Sequence, residues 1–491
     1  MNDSNQTTAE SQPTGFIGAA SGPISEALLP VGHLAFITPF IALMFYASMN
    51  TDDYSKATLS WWCVRQPSVF AVTSRYYMGL NGRWFTNLLE HFVMSKAHLT
   101  VSYGLLLLLI MLSNVTALGY FFAKCLRVPY TRAFLAGGLF YAAWIAGVSS
   151  PGDNVYWLTV AFEYQLTITS MLLLAGLLCK STQTLAGYIG IALLAVAIPA
   201  QHEVAGVFLV ACLFGGVVAA HFLKVRPHQW WLGFGLASMS LASVLLSPGS
   251  MGLASILLSR GPSSHPVGGH FGDLSQILPF AKRATEHGIN WTINLPVLLC
   301  APCIPFVLER KGGSTSENSY MPPRWLALAG LSGMVVLLAE FAGVERASGY
   351  GVLPPRVEGW FQFVFWFLLV CVIVIGVPEI SQIKFSAASR IALSMLFMVS
   401  VLGSENFHSA EKDLRGPAGP WHAGSAARLR QRGDSLVFDA LPPKPALFRN
   451  TSLAADDGCW VNQCMAVYLG ARSIVAMDPS ENAEFHCASR H

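Results

Sequence analysis

Apolar runs of roughly 17 to 25 residues, the length a bilayer demands, recur along most of this chain, and few architectures can hide so many. They fall at 31–49, 99–123, 133–149, 158–179, 185–200, 204–223, 230–247, 292–308, 324–341, 359–377 and 388–403. In lipid every backbone amide must be bonded within its own segment, so runs of this length predict α-helices. The expected fold is an all-α polytopic membrane protein of about eleven transmembrane helices. Composition agrees: of 491 residues, 53% are hydrophobic and only 12% charged, too apolar for a soluble enzyme of this size. The shorter runs, 185–200 above all, are also compatible with buried or re-entrant helices.

Three regions follow. Residues 1–30 are polar, and the first Lys or Arg is Lys56, so a signal peptide's basic start is missing and a disordered tail is expected. Residues 31–403 form the membrane domain. Residues 404–491 return to soluble composition, with helix-like "SAARLRQRG" and strand-like "SLVFDALP" and "MAVYLGARSIVAMD", which predicts a small extracytoplasmic α/β module. No internal repeat is visible.

Orientation is read from the short loops. "KCLRVPYTR", "CKSTQ", "HFLKVRPHQ", "ERKGG…PPR" and "IKFSAASR" all carry Lys or Arg, whereas "SSPGDNVYW" and "QHE" carry none. The basic set is cytoplasmic. The N-terminus is then inside, and residues 404–491 face the periplasm of a bacterial cytoplasmic membrane. Asp52, Asp53, Glu90, Asp153, Glu163, Glu203, Asp273, Glu286, Glu340, Glu345 and Glu358 gather at the outer face, against Glu309, Glu317 and Glu379 inside. Acids at membrane-helix ends are costly unless they face a cavity or a partner, so the skew marks where to look for a site.

The net charge of +3 and the absence of a basic block argue against nucleic acid. Cys63, Cys125, Cys179, Cys212, Cys300, Cys303 and Cys371 lie in or beside apolar segments and read as small core residues. Cys459 and Cys464 fall in the polar C-terminal part, where an extracytoplasmic disulfide could form.

The candidate site residues are grouped along the outer face. "SMNTDDYSKA" sets Asp52 and Asp53, followed by Tyr54, at the expected mouth of the first helix; neighbours differ by about 100° around a helix, so one acid should face the bundle. A partly desolvated carboxylate there becomes a usable base for a hydroxyl; the plainer alternative is a helix-end cap. The loop 50–97, rich in Trp, Tyr, Phe and Arg, suits helices lying in the interface plane. Within it Arg83, beside Trp84, could hold a lipid phosphate or simply snorkel. In "SSPGDNVYWLTVAFEYQ", Asp153, Asn154, Tyr156, Trp157, Glu163 and Tyr164 mix hydrogen-bonding groups with aromatic faces, the pairing that sugars select, though aromatics are common at any interface. His202 and Glu203 separate two apolar runs and suit a relay, a substrate hydroxyl or an ordinary structural bond. Arg260 follows a Pro-Gly break, and with His265, His270, Lys282 and Arg283 it suggests a mobile, phosphate-facing loop over 248–291. No metal-ligand cluster is evident, so no metal is expected to be obligatory, although two adjacent carboxylates could bind Mg2+ or Mn2+.

With "TDDY", "NGRW", "VYW…EYQL", "QHE", "SPG…SR" and "GCWVNQCMAVYLGARSI" in hand, the chain resembles the GT-C superfamily of membrane glycosyltransferases. Within it these motifs look like those of an uncharacterised bacterial polytopic family, and more distantly the serotype-converting O-antigen glucosyltransferases. The resemblance implies transfer of one sugar from a polyprenyl-phosphate donor to a surface glycan or protein acceptor at the outer face. Asp52 or Asp53 would be the base, with Arg83 and Arg260 on the donor phosphate. Tyr54, the 153–164 residues, His202 and Glu203 would line the sugar or acceptor site. A secondary transporter or lipid flippase is the other class to weigh; such proteins place charges at the membrane midplane, often in two repeated halves.

Overall fold

The computed structural model describes residues 37–61, 64–126, 129–179, 183–222, 228–252, 277–294, 296–300, 303, 323–348, 353–376, 387–420, 422–423, 435–438, 447, 460–469 and 473–476. The described chain is overwhelmingly helical, with two short two-stranded sheets.

A first helix, α1, covers residues 37–44 and stops short of the expected boundary. The chain turns at Phe45 and Tyr46 and runs extended to Asn50. The acids therefore do not close the first helix; they open the next one, α2 (Thr51–Ala57). A hairpin of β1 (Ser60–Trp61) and β2 (Val64–Arg65) leads to α3 (Val69–Gly79) and α4 (Trp84–Lys96). Ser68 caps α3 by accepting the Ala71 N–H. Both α3 and α4 leave apolar residues bare, Phe70, Met78 and Phe92 among them, as interfacial helices do.

Then come α5 (Leu99–Leu126), α6 (Tyr130–Gly147), the short α7 (Pro151–Asn154), α8 (Leu158–Leu178), α9 (Leu185–Gln201), α10 (Glu203–Phe222) and α11 (His228–Leu245). After these lie α12 (Ile277–Thr292), α13 (Pro323–Ser348), α14 (Pro355–Gly376), α15 (Ala387–Leu402) and α16 (Glu405–Arg415). Residues 277–292, expected as part of an outer loop, are helical.

Nine of the expected runs coincide with these helices from α5 onward, but only four stretches among the described residues are long and apolar enough to cross a membrane: Val101–Cys125, Leu158–Leu178, Glu203–Phe222 and Pro355–Ile373. Leu185–Gln201, Gly330–Val344 and Ala392–Leu402 are shorter apolar helices. Hydropathy cannot distinguish a lipid-facing helix from one buried in protein, and α6 is the example. Its residues from Leu139 through Ala146 are all buried, and Phe140 and Trp144 pack edge-on against Phe363 of α14 at 5.3 and 5.4 Å.

The region after residue 403 is docked from its first turn. Ser404 caps α16, and Asn406 donates to the carbonyls of Ala146 and Val148 at 3.2 and 2.8 Å, satisfying the open end of α6. A parallel pair, β3 (Ser435–Phe438) with β4 (Ser473–Ala476), flanks α17 (Trp460–Leu469). "MAVYL", expected as strand, is thus the end of a helix, and "SAARLRQRG" lies outside the described residues. Helix α17 rests on α2, with Tyr468 edge-on to Tyr54 at 5.3 Å.

Two cysteine expectations change. Cys125 and Cys179, read as small core residues, are joined in a disulfide that ties the end of α5 to the end of α8. Spacing could not show this, because the two ends meet only when the helices pack. Cys464 is buried and disulfide-bonded; Cys459 lies outside the described residues.

Candidate functional site

The acid pair is split by helix geometry. Counting from Asn50 as the residue before α2, Asp53 occupies the third helical position, where an acidic side chain can reach back to the cap; its Oδ2 accepts the Asn50 N–H at 2.7 Å. The same carboxylate accepts from the Tyr103 hydroxyl of α5 at 2.9 Å, and from the Thr159 amide and hydroxyl of α8 at 3.0 and 2.6 Å. It is fully buried. Burial pushes its pKa up to about 6, against the pull of the Asn50, Thr159 and Tyr103 donors. Asp52, one residue earlier and turned away, is partly exposed, and no hydrogen bond to its carboxylate is found among the described residues.

Along α4, Arg83, Asn87, Glu90, His91 and Met94 follow helical spacing and form one inward face. Gly82 allows this approach, since a Cβ there would stand 2.2 Å from the Val244 carbonyl of α11. Thr86 donates to the Gln201 carbonyl at 3.0 Å, fixing α4 on α9. The Lys56 ammonium of α2 reaches into the seam, donating to Asn87 at 2.7 Å, pairing with Glu90 at 2.7 Å and lying 4.1 Å over the Tyr76 ring. Burial works against the Lys56 charge, but Glu90, Tyr76 and Asp52 together outweigh it and hold the ammonium above its ordinary value. Glu90 is pushed up by burial and by the nearby charges of Asp52 and Asp53, with Lys56 pulling the other way. Its Oε1 has no hydrogen-bond partner among the described residues. His91 donates from Nδ1 to the Asn87 carbonyl at 2.5 Å, which leaves Nε2 as an acceptor without a donor. Burial beside Lys56 pushes its pKa down to about 2.

Arg83 begins a second cluster. Its Nε and Nη2 donate bidentately to Glu203, both at 2.6 Å, and its Nη1 pairs with Glu163. The guanidinium is therefore committed to two protein carboxylates, and the structure does not present it as a bare phosphate cation. The chain places the carboxylates by two breaks. Ala161–Gln165 forms a π turn inside α8, a distortion common at functional sites, carrying Glu163 and Tyr164. The chain leaves helix at His202, which is extended, and restarts at Glu203.

His202 packs 4.5 Å from Tyr164 and stacks 6.4 Å from Trp360 of α14. Its Nδ1 accepts the Ala205 N–H at 3.4 Å, so Nε2 carries the proton, and among the described residues that donor is unmet, as is the Trp360 Nε1–H. Arg356 lies 5.6 Å over the Trp157 ring and interacts with the Tyr164 hydroxyl.

The remaining candidates divide. Tyr156 is buried, its hydroxyl donating to the Phe40 carbonyl at 3.1 Å. Asn154 donates to the carbonyls of Ser150 and Pro355 at 2.8 and 3.3 Å and accepts from Gln165 at 2.5 Å. Both serve the scaffold. Asp153 accepts from Ser150 at 2.9 Å at the start of α7, and Tyr54 meets α17. Arg260, His265, His270 and Asp273 lie outside the described residues. Sequence reading passed over Lys56, Tyr103, Thr159, Arg356 and Trp360 as site residues; only the Arg83, Asn87, Glu90 spacing was open to detection.

Among the described residues no group of three or more His, Cys, Asp or Glu side chains is arranged to hold a metal. Comparison with protein-family models, with curated proteins and with solved structures returns no match.

Proposed function

We propose that this chain is a membrane glycosyltransferase of GT-C type. It moves a single sugar from a polyprenyl-phosphate donor to a glycan or protein acceptor at the outer face of a bacterial cytoplasmic membrane. The observation that carries the reading is the division between the paired acids: Asp53 is saturated with donors and immobile, while Asp52, partly exposed, has no hydrogen bond among the described residues. A base needs an available lone pair and a fixed position, and Asp53 supplies the position for Asp52.

In this reading Asp52 takes the proton of the acceptor hydroxyl. Tyr164, His202 and Trp360 form the aromatic and hydrogen-bonding wall, with two unmet N–H donors suited to sugar or phosphate oxygens. Arg356 is better placed than Arg83 to meet the phosphate, and Arg260 keeps the part that the family resemblance gives it. Arg83 acts through Glu163 and Glu203 as a positioning residue. Mg2+ or Mn2+ is an accessory at most.

The test is Asp52→Asn, which keeps shape and removes the base. Transfer should fall on the order of 10² to 10⁴-fold in membranes holding normal amounts of protein, read by mass spectrometry of surface glycans against a deletion strain. Unchanged transfer would sink the mechanism and bring the transporter or flippase reading forward.

A further inference from the structure

Glu340 lies in α13, inside the apolar stretch Gly330–Val344, and both of its carboxyl oxygens are buried without a hydrogen-bond partner among the described residues. No ion pair reaches it among the described residues. Helix α13 packs on α14, α12 and α10. Gly330 meets Val372, Gly333 meets Leu368, and Phe341 meets Phe361 at 5.1 Å, so α13 and α14 run antiparallel with Glu340 at an aromatic level. On α12 the adjacent ring is His287, 5.0 Å from Phe341. On α10 the group within electrostatic reach of the Glu340 carboxyl is the Cys212 thiol.

The level of this residue is read from ring contacts: Phe341, next to Glu340, lies 5.1 Å from Phe361 of α14 and 5.1 Å from Trp291 of α12, whose Nε1–H reaches the Glu358 carboxylate at 3.4 Å. Glu340 is thus one layer of aromatic rings away from Glu358, and it bonds to none of the acids the sequence grouped with it among the described residues.

We infer that Glu340 is a proton-binding site within the apolar helix layer, a carboxylic acid kept neutral among helices and open to lipid-soluble carbodiimides but not to water-borne ones. Leaving an unpaired carboxylate in such surroundings costs far more than keeping the proton. An acid retained there, with no structural bond to explain it, marks a functional position. The inference does not depend on glycosyl transfer and needs no activity to test.

The chemistry of the probe reports the proton directly. The carboxyl O–H proton passes to one carbodiimide nitrogen while its oxygen adds to the central carbon, and the acyl group then shifts to nitrogen. The product is a stable N-acylurea carrying the whole reagent. Native membranes containing the full chain would be treated with dicyclohexylcarbodiimide or with a water-soluble carbodiimide at equal concentration, and the peptides mapped by mass spectrometry. The expected result is an adduct on Glu340 with the first reagent, none with the second, and none in Glu340→Gln. An unmodified Glu340 under dicyclohexylcarbodiimide, or equal modification by both reagents, would overturn the inference. Should Glu340→Gln fail to accumulate, mapping the adduct within the native chain decides the question alone.

Discussion

Thr159 meets Asp53 twice, through its hydroxyl at 2.6 Å and its amide at 3.0 Å, across 106 residues of sequence. That double bond of contacts fastens the first turn of α2 to the start of α8, and Tyr103 of α5 closes the same knot. All four donors point at one carboxylate, so an amide in its place would set donor against donor. Asp53→Asn should therefore lower stability by about 1–3 kcal/mol, with Thr159→Val showing a smaller loss and Asp52→Asn almost none. Thermal unfolding of the purified proteins in detergent measures the order; an Asp53→Asn protein as stable as the parent would mean the knot does not hold α2.

Arg83 and Glu203 are predicted to be coupled partners. A double-mutant cycle with Arg83→Lys and Glu203→Gln should give an interaction of about 0.5–3 kcal/mol, because lysine cannot reproduce the bidentate geometry. If instead Arg83→Lys leaves stability untouched and selectively weakens use of the lipid-phosphate donor, Arg83 serves the phosphate and the ion pair is incidental.

His91 makes the fold sensitive to acid. Its folded pKa is depressed to about 2, below its ordinary value of 6.5. Above pH 6.5 both folded and unfolded chains hold it neutral; below that the unfolded chain takes up a proton that the folded one refuses. Its contribution is thus complete above the unfolded pKa and declines as pH falls, by about 2 kcal/mol at pH 5. His91→Asn should flatten the stability profile between pH 7 and pH 5, and an unchanged slope would assign the acid sensitivity elsewhere.

Topology is open to direct measurement. A reporter active only in the cytoplasm should work when fused after Arg127 or Lys384 and fail at His491, as the basic loops require. That arrangement places the Cys125–Cys179 disulfide next to the reducing compartment. An active His491 fusion would reverse the orientation, put that disulfide outside and remove the proposed site from the periplasmic face.

The apolar runs were legible because lipid leaves the backbone no alternative to helix, and α5, α8, α10 and α14 appear where hydropathy puts them. The first run was not: α1 ends at residue 44 although apolar residues continue to Met49, since turn geometry at Phe45 and Tyr46 rather than polarity stops it. Residues 465–469 were misread as strand because "MAVYL" satisfies both periods, and its packing on α2 settled it as helix. The candidate site was legible as a set of residue types. Its wiring was not, because Arg83 finds Glu203 and Glu163 only once α4, α8 and α10 converge.

What the sequence by itself determined is therefore the material: a helical chain with membrane-length apolar runs, and paired carboxylates where a helix end must fall. Local chemistry suffices for this, because backbone satisfaction in lipid and helix-end preferences act over a few residues. Only the tertiary structure decided that Asp53 is a buried anchor and Asp52 the available acid, that Arg83 is already held by two glutamates, and that both carboxyl oxygens of Glu340 are buried without a partner among the described residues. Those outcomes depend on which side chains from distant helices share a desolvated space, where a charge must find a partner or give up being charged, and spacing along one chain does not contain that information.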